Sequence, residues 1–192
     1  MPNKEAATVV GTFEKVLPPK LVDMMREEIE YLMEEDYMQA NVGPIDSCEV
    51  DVNTRSTKVS WWSQDHWASS IFSHYFNRAN NDIWEYDLTC IESIQITKYE
   101  PGDYYTWHCD YGSIDNEDLL TRKLSATLLI TDPSEYEGGD LEIIDYSGSV
   151  LTLPKLKGTI IIFDSRAPHR VTPVTSGRRI SLVCWMRGPK LK

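Results

Sequence analysis

The chain has 192 residues, 41% hydrophobic and 26% charged, which excludes wholesale disorder and suffices for one domain with a real core. Its net charge of −11, without any lysine- or arginine-rich run, argues against nucleic acid as a partner. No stretch approaches a membrane span, and Met1-Pro2-Asn3-Lys4-Glu5 lacks the apolar segment of a secretory signal. Cys48, Cys90, Cys109 and Cys184 form no C-x-x-C pair, so the expectation is a cytoplasmic protein with mostly buried, reduced thiols.

A loose tail leads into a short strand from Thr8 to Phe13. Pro18-Pro19 opens a helix, with Leu21, Met24, Met25, Ile29 and Leu32 as its apolar face. Asn41 to Ser56 is polar and marked by Gly and Pro, so it reads as a loop, placed to act as a lid. Thr57 to Trp62 reads as a strand. A second helix runs from about Asp65 to Asn80 on a stripe of Trp67, Ile71, Tyr75 and Ala79, and Asn80-Asn81-Asp82 ends it.

From Leu88 the period changes to that of strands. Ile91 to Tyr99 alternates, with Ile94, Ile96 and Lys98 on one face and Gln95, Thr97 and Tyr99 on the other. Pro101-Gly102-Asp103 turns the chain into the segment Tyr104 to Tyr111, followed by an acidic loop at Asp115 to Asp118. Lys123 to Thr131 is a strand, then a turn from Pro133 to Gly139. Asp140 to Ile144 and Val150 to Leu153 make a hairpin around Ser147-Gly148. Gly158 to Asp164 is a buried strand and Arg179 to Trp185 the last one. Helices followed by about eight short strands predict a mainly β fold with flanking α. The core is a double-stranded β-helix, or jelly roll, over about 88–187, with helical support over about 14–82 packed on one sheet, all in one domain, 1–192.

The chemistry concentrates in three residues and one arginine. His108 and Asp110 stand two apart, so on a strand they face the same way. His169 follows in Ala167-Pro168-His169-Arg170. Two imidazoles and a carboxylate are the donor set of a facial triad that holds Fe(II) and leaves other positions open. Arg179 lies ten residues after His169. Its planar fork suits an anionic co-substrate that chelates the metal at its other end. Alternation puts Arg179 and Ser181 on one face and Arg178 on the other, so Arg178 is the surface arginine of the two. A zinc hydrolase can use the same donors, but it needs a positioned general base and has no use for this arginine.

Tyr99-Glu100-Pro101-Gly102-Asp103-Tyr104-Tyr105-Thr106-Trp107-His108-Cys109-Asp110 resembles the Y-x-x-G-x-x-Y-x-x-H-x-D signature of prolyl 4-hydroxylase-like 2-oxoglutarate/Fe(II) oxygenases. Three further stretches are similar to the PKHD-type hydroxylases of that superfamily: Arg122 to Leu128, Asp132-Pro133 with Tyr136 to Leu141, and Pro168 to Arg179. The likeness covers Ile91 to Trp185, about half the chain.

The resemblance implies Fe(II) on His108, Asp110 and His169, with 2-oxoglutarate on Arg179 and the Tyr99 hydroxyl. Ser125 or Thr127 would offer the co-substrate a hydroxyl, and Trp185 would stand beside the pocket. Tyr105 and Trp107 would flank the metal strand and line the cleft, and Trp61 would add an aromatic platform. O2 would be the second co-substrate and ascorbate an accessory reductant. The activity implied is hydroxylation of an unactivated C–H bond, a peptidyl proline first, with decarboxylation of 2-oxoglutarate to succinate and CO2. A free amino acid or other small molecule is the alternative substrate, and a non-catalytic jelly-roll binding module the alternative class.

Overall fold

The computed structural model describes residues 8–32, 36–40, 54–111 and 119–190. The N-terminal tail, Cys48, the acidic loop at Asp115 to Asp118 and nearly all of the lid expected over Asn41 to Ser56 lie outside the described residues.

The first half holds β1 (Val10–Phe13), α1 (Pro19–Glu30), β2 (Met38–Gln39), β3 (Arg55–Ser56), β4 (Lys58–Trp62) and α2 (Ser69–Ala79). The second half holds β5 (Cys90–Ile91), β6 (Ile94–Tyr99), β7 (Tyr104–His108), β8 (Leu120–Leu129), β9 (Tyr136–Gly138) and β10 (Leu141–Ile144). It closes with β11 (Val150–Thr152), β12 (Ile160–Asp164), β13 (His169–Val171), β14 (Val174–Gly177) and β15 (Arg179–Pro189).

The larger sheet runs β1-β12-β8-β15-β6-β4-β2, with β5 also on β15. The smaller runs β11-β10-β13-β7-β3, and β14-β9 is a two-stranded ribbon. Two facing antiparallel sheets with helices outside the larger one make the jelly roll. Fifteen strands among the described residues replace the eight or so expected. Bridges as short as β2, β3 and β5 carry no hydrophobic pattern of their own.

Alternation on the larger sheet separates two jobs. Ile94 and Ile96 of β6, Leu124, Ala126 and Leu128 of β8, and Ile180, Leu182 and Cys184 of β15 face the helices. The intervening Gln95, Thr97, Tyr99, Thr127, Arg179 and Ser181 face the other way, into a cavity between the sheets. In β12 both faces are apolar. Ile160 and Ile162 join the helix-side core, while Ile161 and Phe163 join a second core with Leu141, Ile143 and Val171. That explains its unbroken hydrophobic run.

In α1 the expected face holds but for one residue: Met25 and Ile29 are buried and Leu21 and Leu32 pack at the edge of the core, while Val22 is buried in place of Met24, which is 47% exposed. The stripe of α2 differs more. Its buried residues are Ser69, Phe72, Phe76 and Ala79, while Trp67 precedes the helix and is exposed. Phe72 and Phe76, one turn apart, present more apolar area to the sheet than Ile71 and Tyr75, which remain at its edge.

Asn80-Asn81-Asp82 does not stop the chain either. A π-helical turn continues over Asn80–Trp84 and closes on Glu85 with φ 54. The Asn80 side chain fixes that exit: Nδ2 donates to the Tyr86 carbonyl at 2.9 Å, and Oδ1 accepts from the Tyr86 N–H at 2.8 Å. Of the cysteines, Cys184 is buried, but Cys90 and Cys109 are exposed, against expectation.

Candidate active site

A cavity of about 900 Å³ opens between the sheets. The inner face of β6, β8 and β15 forms one wall, and β7 and β13 the other. His108 ends β7 and His169 begins β13, and the two residues are paired across the ladder. Asp110 is not on the strand as expected: β7 stops at His108. The chain there is held by the Ser165 carbonyl, which accepts from the N–H groups of Asp110 at 3.0 Å and Tyr111 at 2.8 Å.

The ladder between β7 and β13 slips by one residue. His169 pairs with His108, but Val171 pairs with Tyr105, so three steps on β7 match two on β13. The slip puts Tyr105 and His108 on one face. Their rings stack at 3.5 Å. Trp107, next to His108 in the strand, points the other way. It is not among the lining residues and packs its ring under Arg170 at 4.7 Å. This corrects the expectation that Trp107 lines the cleft.

One donor atom from each of His108, Asp110 and His169 falls within 4.8 Å of the others. Asp110 Oδ2 stands 3.4 Å from His169 Nε2, and Oδ1 stands 3.8 Å from His108 Nε2. Ligands about 2.0–2.2 Å from one divalent ion lie about 3–4 Å apart, so the set fits such an ion. Each imidazole is also oriented for it. His108 Nδ1 bonds the Thr106 carbonyl at 2.8 Å and His169 Nδ1 bonds the Ala167 carbonyl at 3.0 Å, which leaves both Nε2 atoms as donors.

The Asp110 carboxylate is fixed in turn. Ser125 Oγ donates to Oδ2 at 2.7 Å and lies 2.9 Å from Ser165 Oγ. Ser125 therefore serves Asp110 and is not among the cavity-lining residues, whereas Thr127 is.

Electrostatics favour the deprotonated ligand set. Burial, with the neighbouring His169, pushes His108 down to about 3. Burial pulls Asp110 upward, but His169, His108 and Arg122 outweigh it and hold the carboxyl at about 2. Burial lifts the Tyr105 phenol to about 12, so it stays neutral beside the donors.

Arg179 is 2% exposed. Its Nη1 donates to Ser181 Oγ at 2.9 Å, its Cζ lies 5.3 Å from the Tyr99 ring centre, and its Nε has no partner. Thr97 Oγ1, 3.0 Å from Ser181 Oγ, extends the polar patch. No carboxylate among the described residues pairs with Arg179. Gly139 leaves it room: with φ +60, a Cβ there would stand 2.9 Å from Arg179 Cδ. Arg178 lies on the surface, 3.3 Å from Glu30.

At the mouth Trp61 lines the cavity and tilts over Trp185 at 6.3 Å, while Trp62 is core. Among the lining residues that sequence does not single out are Arg122, Glu92 and Arg55. Arg122 lies 3.8 Å over the Trp185 ring and grips Glu92 through two bonds of 2.9 and 2.7 Å. Arg55, from β3, sits 4.6 Å over the Tyr105 ring. Nothing in their local sequence separates these arginines from surface charges; only tertiary packing does.

The family model described as the 2OG-Fe(II) oxygenase superfamily matches residues 94–187. A PKHD-type hydroxylase of Janthinobacterium sp. is 39% identical over 96 residues, covering 48% of this chain and 42% of that protein. The chain thus spans under half the length of the curated relatives it matches. A Pseudomonas putida prolyl-4-hydroxylase superposes with a TM-score of 0.71 at 21% identity, covering 96% of this chain and 95% of that one. A Trichoplax adhaerens prolyl hydroxylase, solved with a hypoxia inducible factor peptide fragment, gives 0.75 at 17% identity, covering 92% and 82%. Identities this low establish the shared fold. The family match runs from β6 through most of β15, the stretch that supplies all three donors and Arg179, and over that stretch the chain resembles the 2OG-Fe(II) oxygenase superfamily.

Proposed function

We propose that the chain is an Fe(II)/2-oxoglutarate-dependent dioxygenase that hydroxylates an unactivated C–H bond, with a prolyl ring as the first candidate. The observation that carries this reading is Arg179: a buried guanidinium with no carboxylate partner among the described residues, in the same cavity as three convergent metal donors. A buried cation is costly until an anion meets it, and a dicarboxylate that also reaches the metal does so. His108 and His169 hold Fe(II) through Nε2, and Asp110 through its carboxylate. Arg179 takes the far carboxylate of 2-oxoglutarate, with Tyr99, Ser181 and Thr127 around it.

The chemistry supplied by the loaded site is oxidative decarboxylation of 2-oxoglutarate to succinate and CO2, with one oxygen atom of O2 passing to the substrate. Leu141, Phe163 and Val171 line the cavity with apolar surface and exclude water. Tyr105 and Trp185 add aromatic surface to the cavity beside the donors, which suits an apolar ring such as proline. The prolyl hydroxylases that share the fold support this choice. Ascorbate fits as an accessory reductant and Trp61 as a substrate platform.

The test is succinate release from 2-oxoglutarate with Fe(II) and O2, alongside the visible charge-transfer band of the anaerobic Fe(II)–2-oxoglutarate complex. His169→Ala is expected to abolish both. A variant that keeps its turnover would remove His169 from the metal. Iron binding without band or succinate in the native protein would favour a binding module.

A further inference from the structure

The cavity is more basic than the chain that encloses it. Among the described residues, four guanidinium groups line it, on Arg55, Arg122, Arg179 and Arg187, against two carboxylates, on Glu92 and Asp110. The whole chain carries −11. Glu92 is engaged by Arg122 and lies 3.7 Å from Arg187 Nε. On the reading above, Arg179 belongs to 2-oxoglutarate. Fe(II) and 2-oxoglutarate carry equal and opposite formal charges, so loading both leaves the excess in place.

The remaining arginine is Arg55. It is 6% exposed. Its Nη2 donates to the Gln95 side-chain oxygen at 2.8 Å, it covers the Tyr105 ring, and its Nε has no partner. No carboxylate among the described residues pairs with it. A neutral amide and a ring face do not compensate a buried cation, which needs a counter-charge and filled hydrogen bonds.

We infer that Arg55 seats an anionic group of the substrate, namely a carboxylate. The inference rests on the dioxygenase reading and narrows its substrate class. Arg55 Cζ is 4.6 Å from the Tyr105 ring, which stacks at 3.5 Å on His108, so the guanidinium lies within about 8 Å of that metal donor. A carboxylate on Arg55 leaves only a few bonds between itself and a C–H group facing the metal. That is the dimension of a free amino acid, or of a peptide with an acidic side chain beside the reacting residue. In a chain this acidic, the basic cavity also selects anions from solution.

Protein loaded anaerobically with Fe(II) and 2-oxoglutarate, so that Arg179 is filled, is titrated with matched probes. The pairs are L-proline with L-prolinamide, N-acetyl-L-proline with its amide, and proline tetrapeptides bearing glutamate or glutamine next to proline. Fluorescence of Trp61 and Trp185 and the shift in Tm report binding without turnover. In at least one pair the acid is expected to bind tenfold or more tighter than its amide partner, with an advantage that shrinks as salt is added. Arg55→Gln brings that ratio to within twofold, and Arg55→Lys keeps part of it.

Preference for L-proline or its acetyl derivative assigns a small carboxylic acid; preference for the glutamate tetrapeptide assigns an acidic peptide. No acid preference in any pair, or one that survives in Arg55→Gln, overturns the role of Arg55. The native comparison needs no variant to fold, and the charge-transfer band checks that Arg55→Gln still assembles the site. A native protein without that band overturns the dioxygenase reading itself; a band without acid preference overturns only the anion seat.

Discussion

Arg179 and Asp110 carry opposite charges but are held by the same device, a serine hydroxyl on the neighbouring inner-face position. Ser181 Oγ accepts from Arg179 Nη1, and Ser125 Oγ donates to Asp110 Oδ2. Arg179→Lys keeps the charge but loses the fork that spans both oxygens of a carboxylate. The KM for 2-oxoglutarate is expected to rise about 10- to 100-fold, worth about 1.5–3 kcal/mol, with kcat much less affected. Equal affinity in the two proteins would place the co-substrate elsewhere. Ser125→Ala should lower divalent metal affinity about tenfold, as loss of a bond to a ligand generally does. Titration with Mn(II) measures this apart from turnover, and Ser125→Thr should restore much of it. Sequence points to His108, Asp110, His169 and Arg179 because each sits in a motif of fixed spacing, and the structure brings their side chains to one cavity. The Ser125 hydroxyl was expected to face the co-substrate, and Ser165 drew no notice. Which partner a short hydroxyl serves depends on where the chain bends after β7.

At the scale of elements, Asp164 at the end of β12 ties together segments far apart in sequence. It is fully buried and accepts from Tyr86 at 2.7 Å, Tyr146 at 2.9 Å and the Arg166 guanidinium. Those bonds reach the chain after the π-helical turn and the β10–β11 hairpin, and they anchor the residue just before Ser165. Burial would raise the Asp164 carboxyl, but the bonds from Arg166, Tyr86 and Tyr146 outweigh it and hold it below the usual carboxylate range. A depressed folded value contributes stability above the unfolded value, about 3.9, and that contribution is lost as pH falls through the folded one. Asp164→Asn is expected to cost about 2 kcal/mol at neutral pH, since it removes the charge that pairs with the 44% exposed Arg166 and leaves one acceptor oxygen where there were two. The deficit should narrow in acid; a constant deficit between pH 7 and 2 would mean that the charge of Asp164 plays no part. This node could not be read from periodicity. Period identifies the face of α1 but for Met24; in α2 a stripe rotated by one residue fits the same period, and sheet contact alone chooses Phe72 and Phe76.

The whole molecule is a jelly roll with one apolar layer under the helices and another between the sheets, and a polar cavity at one end of the second. That architecture was legible because alternation along β6 and β15 is strict. The number of strands was not, because the short bridges are set by long-range pairing rather than by local pattern. Placing imidazoles in such a cavity has a cost without metal. His108, pushed down to about 3, stays neutral in the fold while the unfolded chain takes up a proton near 6.5. The metal-free protein should therefore lose stability as pH falls below about 6.5, and this contribution levels off near 3. Denaturant midpoints of the metal-free chain from pH 8 to 5 measure it, and His108→Asn should flatten the slope. A slope unchanged in that variant would show that His108 is not held neutral.

The slip between β7 and β13 also has a consequence for how an imidazole keeps its aim. An unbroken ladder would spend the carbonyls of β7 on the neighbouring strand. Here Thr106, within the slipped stretch, has its carbonyl on His108 Nδ1, while its own N–H and hydroxyl reach the Thr54 carbonyl. One surplus residue thus works as a rudder: it steers a ring two positions ahead while moored to the residue just before β3. Excising Thr106 would restore an even ladder and still leave Tyr105 and His108 on one side, but it would remove the carbonyl that now holds Nδ1 and, with it, the bond that aims Nε2 at the cavity.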